Sequence, residues 1–311
     1  MPERPVGAAE AGWASIEHRL AFARAVPGAE ADDGRWTLSW RGPALMGVLN
    51  VTPDSFSDGG RLPDAETAIR AGLAQWREGA SFIDVGGESS RPGAEGVPAD
   101  VELARVLPVV EGLAAAGARV SIDTVKPGVA REAVAAGACL VNDIGGLRLA
   151  EMREVCAEAG VPAVLMHMQG EPSTMQRDPR YGDVVDEVEA FLLTGARRAL
   201  AEGVPAVAID PGVGFGKALE HNLALLEASA RLASHGLPLL VGASRKSLIA
   251  RLMGDTPPLE RLPGTLALHL AAAQGGAALL RVHDVAEHAQ ALAVWAALAD
   301  VPARRGAARD G

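Results

Sequence analysis

One unit recurs along this chain and limits its fold more than any other feature. It is an amphipathic stretch, a glycine, and then a short apolar run that stops at polar residues. The glycines at this joint are Gly79, Gly117, Gly137, Gly160, Gly203, Gly236 and Gly276. Glycine suits the residue just past a helix because that position commonly has positive φ, which a Cβ resists. The apolar runs that follow cover residues 82–85, 120–122, 139–141, 163–166, 206–209, 239–241 and 277–282. Each is too short for a helix and apolar nearly throughout, as a strand buried on both faces would be. A further run, 44–49, has no comparable helix before it and brings the strands to eight. Residues 44–300 therefore predict an α/β chain, a parallel eight-stranded (β/α)8 TIM barrel of the ~250 residues typical of that fold. Helix starts agree: Asp64 can cap the first helix, and Pro127 suits the first turn of the third. A doubly wound open sheet is the rival, and the absence of G-x-G-x-x-G after the first strand weighs against it.

Residues 1–43 stand outside the repeat and are expected to cover the bottom of the barrel. Within them, 13–26 reads as a short amphipathic helix and 36–40 alternates like a small strand. Residues 301–311 read as a flexible basic tail.

The formal charge of −10 argues against a nucleic-acid partner, which needs a basic face to neutralise phosphates. An anionic substrate must then be met by a local cluster of cations. The two cysteines, Cys139 and Cys156, do not make a disulfide framework, and reduced thiols are the better reading. No apolar run approaches the ~20 residues of a membrane span, and the first residues lack the apolar stretch of a signal peptide. A cytoplasmic enzyme is expected.

In such barrels the chemistry sits at the C-terminal ends of the strands and in the loops beyond them. Those positions hold Asn50, Asp84 with Glu88, Asp123, Asn142, His167, Asp210, Ser244 to Lys246, and Arg281 with His283. A single Asp or Asn there often does no more than cap the next helix. Polar groups at all eight strand ends point to one converging site. The loops after the first two strands are long and rich in Gly, Ser and Pro, as mobile lids are. Phe56 and Arg91 are what such lids would carry to meet a ring and an anion.

Here a resemblance becomes specific. The stretch 46–60, MGVLNVTPDSFSDGG, resembles the first signature of dihydropteroate synthases, and 84–93, DVGGESSRPG, resembles the second. Further matches are IDT at 122–124, VND at 141–143, MHMQG at 166–170, DPGVGFGK at 210–217, SRKS at 244–247 and RVHD at 281–284. They run in order over about 44–284. Ser90 departs from the family's usual Thr and keeps the hydroxyl. The resemblance implies condensation of (7,8-dihydropterin-6-yl)methyl diphosphate with 4-aminobenzoate, giving 7,8-dihydropteroate and pyrophosphate by a dissociative route.

The same resemblance implies roles. A pterin edge resembles guanidine, and a carboxylate can accept two parallel hydrogen bonds from it, as it does from Arg. Asp210 aligns with that carboxylate. Asp123, Asn142 and Met166 would complete the pterin site, and Lys246 would donate to the ring. Arg281 and His283 alternate at the end of the last strand and so face one side, where with Arg91 and Asn50 they would hold the diphosphate. Lys246, Asp210, Arg281 and His283 are the expected catalytic set. Phe56, Ser90, Arg91, Pro92, Phe215 and Ser247 would form the aminobenzoate pocket, with Asp58 ordering the first loop. Mg²⁺ is the implied metal, held by the amide oxygen of Asn50 and the substrate phosphates. A homodimer through the late helices is the implied assembly.

Two other motifs are set aside. The stretch 212–217 has glycines and a lysine, but Pro211 and Ala218 occupy positions where a P-loop needs Gly and Ser or Thr. Lys217 is expected to brace the site instead. His283 and His288 lack zinc spacing, and no H-E-x-x-H occurs. Two rivals stay open: a methyl-tetrahydrofolate-binding barrel, which has no use for the Asn50 loop or the Arg281 and His283 pair, and a non-catalytic paralogue.

Overall fold

Burial with period two organises the first described residues. In β1 (Glu17–Phe22), Leu20 and Phe22 are wholly buried while Glu17 and Arg19 face outward. The helix expected over 13–26 is therefore corrected to one 3₁₀ turn, Trp13–Ser15, and this strand. Alternation of Leu20 and Phe22 places both on one face only if the chain is extended. β1 pairs antiparallel with β3 (Arg35–Arg41), which also pairs with β2 (Glu30–Asp32). The structure, a computed structural model, describes residues 12–52, 65–89 and 96–299. Asp64, Phe56, Asp58, Ser90, Arg91, Pro92 and the segment 301–311 lie outside the described residues.

The remaining strands are β4 (Ala44–Asn50), β5 (Ala80–Gly86), β6 (Val120–Asp123), β7 (Leu140–Asp143), β8 (Ala163–Met166), β9 (Val207–Asp210), β10 (Leu240–Val241) and β11 (Leu279–Val282). They form one parallel sheet in the order β10-β11-β4-β5-β6-β7-β8-β9. Its ends meet where Ile209 bridges Leu239 and the Ile209 N–H donates to the Pro238 carbonyl at 2.9 Å. The fold is thus the eight-stranded barrel. Between the strands run α1 (Ala65–Arg77), α2 (Ala99–Ala115), α3 (Pro127–Ala135), α4 (Ala150–Ala159), α5 (Val184–Ala201), α6 (Leu219–Glu227), α7 (Ser229–Ala233), α8 (Ser247–Met253) and α9 (Leu262–Gln274), with α10 (Val285–Ala299) after the last. All seven joint glycines have positive φ, and Gly160 closes α4 in the left-handed conformation at φ 66°. Pro127 opens α3, as its fixed φ favours.

Two apolar layers follow from the strand period. Outward residues such as Ile83, Val85, Val141, Leu165, Ile209 and Val282 pack against the helices. Inward residues at the strand starts, including Met46, Phe82, Leu140, Val164, Ala208 and Leu279, share a cluster with Leu20, Phe22 and Leu38 of the N-terminal sheet. Burying Leu20 and Phe22 contributes about 1.5–3 kcal/mol each. With the strand starts filled by apolar side chains, the opposite end is left for polar ones.

Candidate active site

Two residues beyond each inward apolar residue, the strand period returns a side chain to the barrel interior, one layer closer to the C-terminal mouth. Phe82 is followed in this way by Asp84, Leu140 by Asn142, Val164 by Met166, Ala208 by Asp210 and Leu279 by Arg281. All five thus lie at the C-terminal ends of their strands, where register sets Met166 beside Asp210, and Asp123 at the end of β6 beside Asn142.

Arg281 is the hub of one wall. Its Nε donates to Asp84 Oδ2 and its Nη2 to Asp123 Oδ2, both at 2.6 Å. Asn142 Nδ2 donates to the same Asp84 oxygen at 3.0 Å. The Asp84 side chain has no exposed surface, and its Oδ1 has no hydrogen-bond partner among the described residues. Burial pushes the Asp123 carboxyl well above its usual range, and the Arg281 guanidinium opposes that rise. Burial works against the Arg281 charge too, but Asp84 and Asp123 outweigh it and raise its pKa.

The facing wall is built by the loop after β9. Asp210 is buried, which raises its pKa, while Lys246 and a hydrogen bond from the Gly212 N–H at 2.7 Å lower it. Lys246 donates to the Val213 carbonyl, and its ammonium lies 4.4 Å from the centre of the Phe215 ring. Burial brings Lys246 down to about 8, with Asp210 resisting and Arg281 adding to the fall. Gly242 lies between this lysine and Arg281, at ordinary contact distance from both. A Cβ there would sit 3.6 Å from Arg281 Cβ and 4.0 Å from Lys246 Nζ. Phe215 and Met166 belong to one apolar cluster with Ile144, Met168 and Met175, a greasy wall beside the charged one.

Lys217 lies beneath this loop with 1% exposure. Its ammonium reaches His167 Nδ1 at 3.0 Å and donates to the carbonyls of His167 and Phe215 at 3.2 and 3.0 Å. Burial takes Lys217 down to about 7 and His167 to about 3, so His167 is a neutral acceptor for the lysine. On the last strand's side, Ser244 Oγ and His283 Nδ1 are 2.9 Å apart. Ser247 opens α8 and is exposed, and Asn50 ends β4 half-buried. A cavity of about 860 Å³ opens beside Asp123 and Ile144 and continues past Lys126 to Arg148 and Met168.

Asp123, Asn142, Asp210, Lys246 and Arg281 thus meet around one opening, joined by direct contacts or mutual charge. The residues expected in the two lids, Phe56, Asp58, Ser90, Arg91 and Pro92, lie outside the described residues. Asp84 stands at its strand end in the sequence, where its inward register after Phe82 marks it, but its place as partner of Arg281 and Asn142 is visible only in the fold. Sequence spacing likewise does not announce Glu88, which accepts from Lys126, or Glu102, which accepts from the same ammonium at 2.6 Å. Only the fold brings those three together.

Among the described residues no group of three or more His, Cys, Asp or Glu could hold a metal. Asn50 presents a single amide oxygen near Gly86 and Asp123, where a Cβ on Gly86 would lie 3.6 Å from Asn50 Oδ1. One hard oxygen donor of this kind fits Mg²⁺, which keeps waters and binds through substrate phosphates rather than a protein cage.

A model of the pterin-binding enzyme family matches residues 46–283. The chain is 47% identical over 255 residues to the dihydropteroate synthase of Escherichia coli (strain K12), covering 81% of this chain and 90% of that one. A Xanthomonas albilineans dihydropteroate synthase structure with 4-aminobenzoic acid superposes with TM-score 0.80 at 48% identity, over 86% of this chain and 96% of that one. The same enzyme in complex with 7,8-dihydropteroate gives 0.78 at 45% identity, covering 86% and 97%. The charged hub, the lysine against the aromatic wall and the barrel that holds them agree with these likenesses: the chain belongs to the pterin-binding enzyme family and, within it, to the dihydropteroate synthases.

Proposed function

We propose that the chain condenses (7,8-dihydropterin-6-yl)methyl diphosphate with 4-aminobenzoate, releasing 7,8-dihydropteroate and pyrophosphate, as a transferase of folate synthesis. The observation that carries this reading is the union of two walls: buried carboxylates suited to a guanidine-like edge, and Arg281 with His283 at the C-terminal end of the last strand. Asp210 takes the paired donors of the pterin edge, and Asp123 and Asn142 hold the rest of the heterocycle. Met166 packs on its face. Lys246 donates to a ring acceptor and is kept charged at neutral pH by Asp210.

The diphosphate falls to Arg281 and His283, with Arg91 and Asn50 completing the cage. Mg²⁺, held by Asn50 and the phosphates, would supply charge neutralisation for the departing pyrophosphate. The C–O bond breaks first, and electron release from the ring stabilises the methylene cation. The arylamine nitrogen then attacks that carbon and loses a proton. Phe215 and Ser247, with Phe56, Ser90 and Pro92, line the aminobenzoate side, and Asp58 orders the first lid. No nucleophilic side chain is required by this order. We also infer a homodimer. α10 leaves Val294 and Leu298 58% and 59% exposed, an apolar surface that a second copy would cover.

The deciding assay measures pyrophosphate release with pterin diphosphate, 4-aminobenzoate and Mg²⁺ supplied together or singly. Release that requires all three is expected. No release from folded protein would favour a non-catalytic paralogue, and methyl transfer to a corrinoid would favour the methyl-tetrahydrofolate rival.

A further inference from the structure

The loop after β10 is fastened to the end of β11 by three consecutive residues. The Ala243 N–H donates to His269 Nε2 at 2.9 Å. Since a backbone N–H can only donate, His269 must carry its proton on Nδ1, which then donates to His288 Nε2 at 2.9 Å. His288 in turn donates through Nδ1 to the Asp284 carbonyl at 2.6 Å. Both rings are neutral in this chain of donors, in line with burial lowering the pKa of each. Next, Ser244 Oγ contacts His283 Nδ1 at 2.9 Å and accepts from the His283 N–H at 3.2 Å. Finally, Arg245 grips the Asp284 carboxylate with two nitrogens, Nε to Oδ2 at 3.1 Å and Nη2 to Oδ1.

Arg245 does this from a left-handed backbone, φ 58°, which a residue with a Cβ resists. The strain is held from both sides. Its N–H donates to Thr265 Oγ1 at 3.1 Å, and its carbonyl accepts from Arg261 Nη1 at 2.9 Å. A glycine would adopt this conformation freely, yet would have nothing with which to reach Asp284. Strain retained at a position where glycine would relieve it points to a use for the side chain. The residue after Arg245 is Lys246, and the residue before Asp284 is His283. The left-handed step redirects the chain so that Lys246 turns back to the Val213 carbonyl and the Phe215 ring.

We propose that Arg245 and Asp284 are a positioning pair. Their bidentate contact fixes the spacing between Lys246 on one loop and His283 on the next, so that ring donor and diphosphate ligand are presented together. This rests on the reaction assigned above and deepens it. The pair touches no substrate and acts only through its neighbours, and its fork-to-carboxylate geometry is one that lysine cannot reproduce.

The test compares the wild-type chain with Arg245→Lys, Arg245→Gly, Asp284→Asn and the Arg245→Gly/Asp284→Asn double variant. It records thermal midpoint, kcat, KM for each substrate and the pH dependence of kcat. Misplacing reacting groups by about an ångström costs up to about 100-fold in rate. Each single variant that stays folded is expected to lose about 10- to 100-fold in kcat, with pterin diphosphate KM changing far less. The double variant should fall no further than either single change, because both remove one contact. The alkaline limb should also move upward. Lys246 faces Asp210 on β9, Arg281 on β11 and Asp123 on β6, and its low pKa comes first from burial, which a displaced side chain escapes. Arg245→Gly keeps the left-handed backbone accessible, so it remains informative where the other variants fold poorly. A lowered midpoint with kcat and the alkaline limb unchanged would overturn the pair's positioning role while leaving the reaction intact. A wild-type chain that releases no pyrophosphate would overturn the reaction and this role together.

Discussion

Arg281 Nη2 and Asp123 Oδ2 lie 2.6 Å apart although 158 residues separate them in the chain. The same guanidinium holds Asp84, so one cation compensates two buried carboxylates. Removing it leaves Asp84 without an ion-pair partner among the described residues and Asp123 with only the more distant charge of Lys246. Breaking a buried ion pair from one side costs about 3–5 kcal/mol. Arg281→Met is therefore expected to lower the denaturation midpoint clearly and to abolish measurable turnover. Equilibrium unfolding of the variant checks this, and a stability equal to wild type would refute the compensation.

Lys246 sets an alkaline limit. Its pKa falls from 10.5 to about 8, chiefly through burial, so it is charged below that pH and neutral above it. If its charge serves the reaction, kcat/KM should decline as pH rises through about 8. In Lys246→Arg, whose guanidinium stays charged, the decline should vanish while activity at neutral pH falls. Lys246→Ala should greatly reduce turnover at every pH. A flat profile between pH 7 and 10 in the wild type would contradict the assignment.

Lys217 makes a different signature, one of stability. Its ammonium serves three acceptors, and leaving buried acceptors unpaired costs about 1–3 kcal/mol. Lys217→Met should be destabilised by that order. The sign of its pH dependence follows from a folded pKa of about 7 against 10.5 for an ordinary lysine. Between those values the folded chain binds fewer protons, so this residue makes stability rise with pH across that window. The variant should show a shallower rise in urea unfolding measured from pH 7 to 10. An equal slope would show that Lys217 is not the source.

Gly212 is a steric test of the loop that presents Asp210. A Cβ there would lie 1.9 Å from the His167 carbonyl oxygen, and its φ is +67°. Gly212→Ala must move backbone rather than a flexible side chain. Strain of this kind costs about 1–3 kcal/mol before the clash is counted. Reduced soluble yield or a clearly lowered midpoint is expected, and a wild-type midpoint would contradict the close approach.

The metal assignment is tested by chelation. Stripping divalent ions should abolish pyrophosphate release, and Mg²⁺ should restore it. Asn50→Ala should raise the Mg²⁺ concentration needed by about 10-fold or more, on the scale of losing one tuned ligand contact. An unchanged Mg²⁺ requirement in that variant would remove Asn50 from the role.

Much of this architecture is legible in the sequence. The seven joint glycines and short apolar runs carried the strand count because helix endings and buried strands have strict local requirements. Asp123, Asn142, Asp210, Lys246 and Arg281 were legible as strand-end polar residues. The segment 13–26 was misread because its apolar residues satisfy either period over so short a span, and only the barrel floor it packs on selects the strand.

By itself, then, the chain's sequence determined the repeating unit, the family and the candidate residues at the strand ends, since these depend on local backbone preference and on motifs contiguous in the chain. Tertiary structure decided which of those residues hold one another. That Arg281 is shared by Asp84 and Asp123, that Lys217 supports the Phe215 loop from below, and that Arg245 accepts backbone strain to reach Asp284 are facts of closure. The physical reason is that burial and charge pairing act through space. Their partners are chosen when the sheet closes and sets each strand's register against its neighbours.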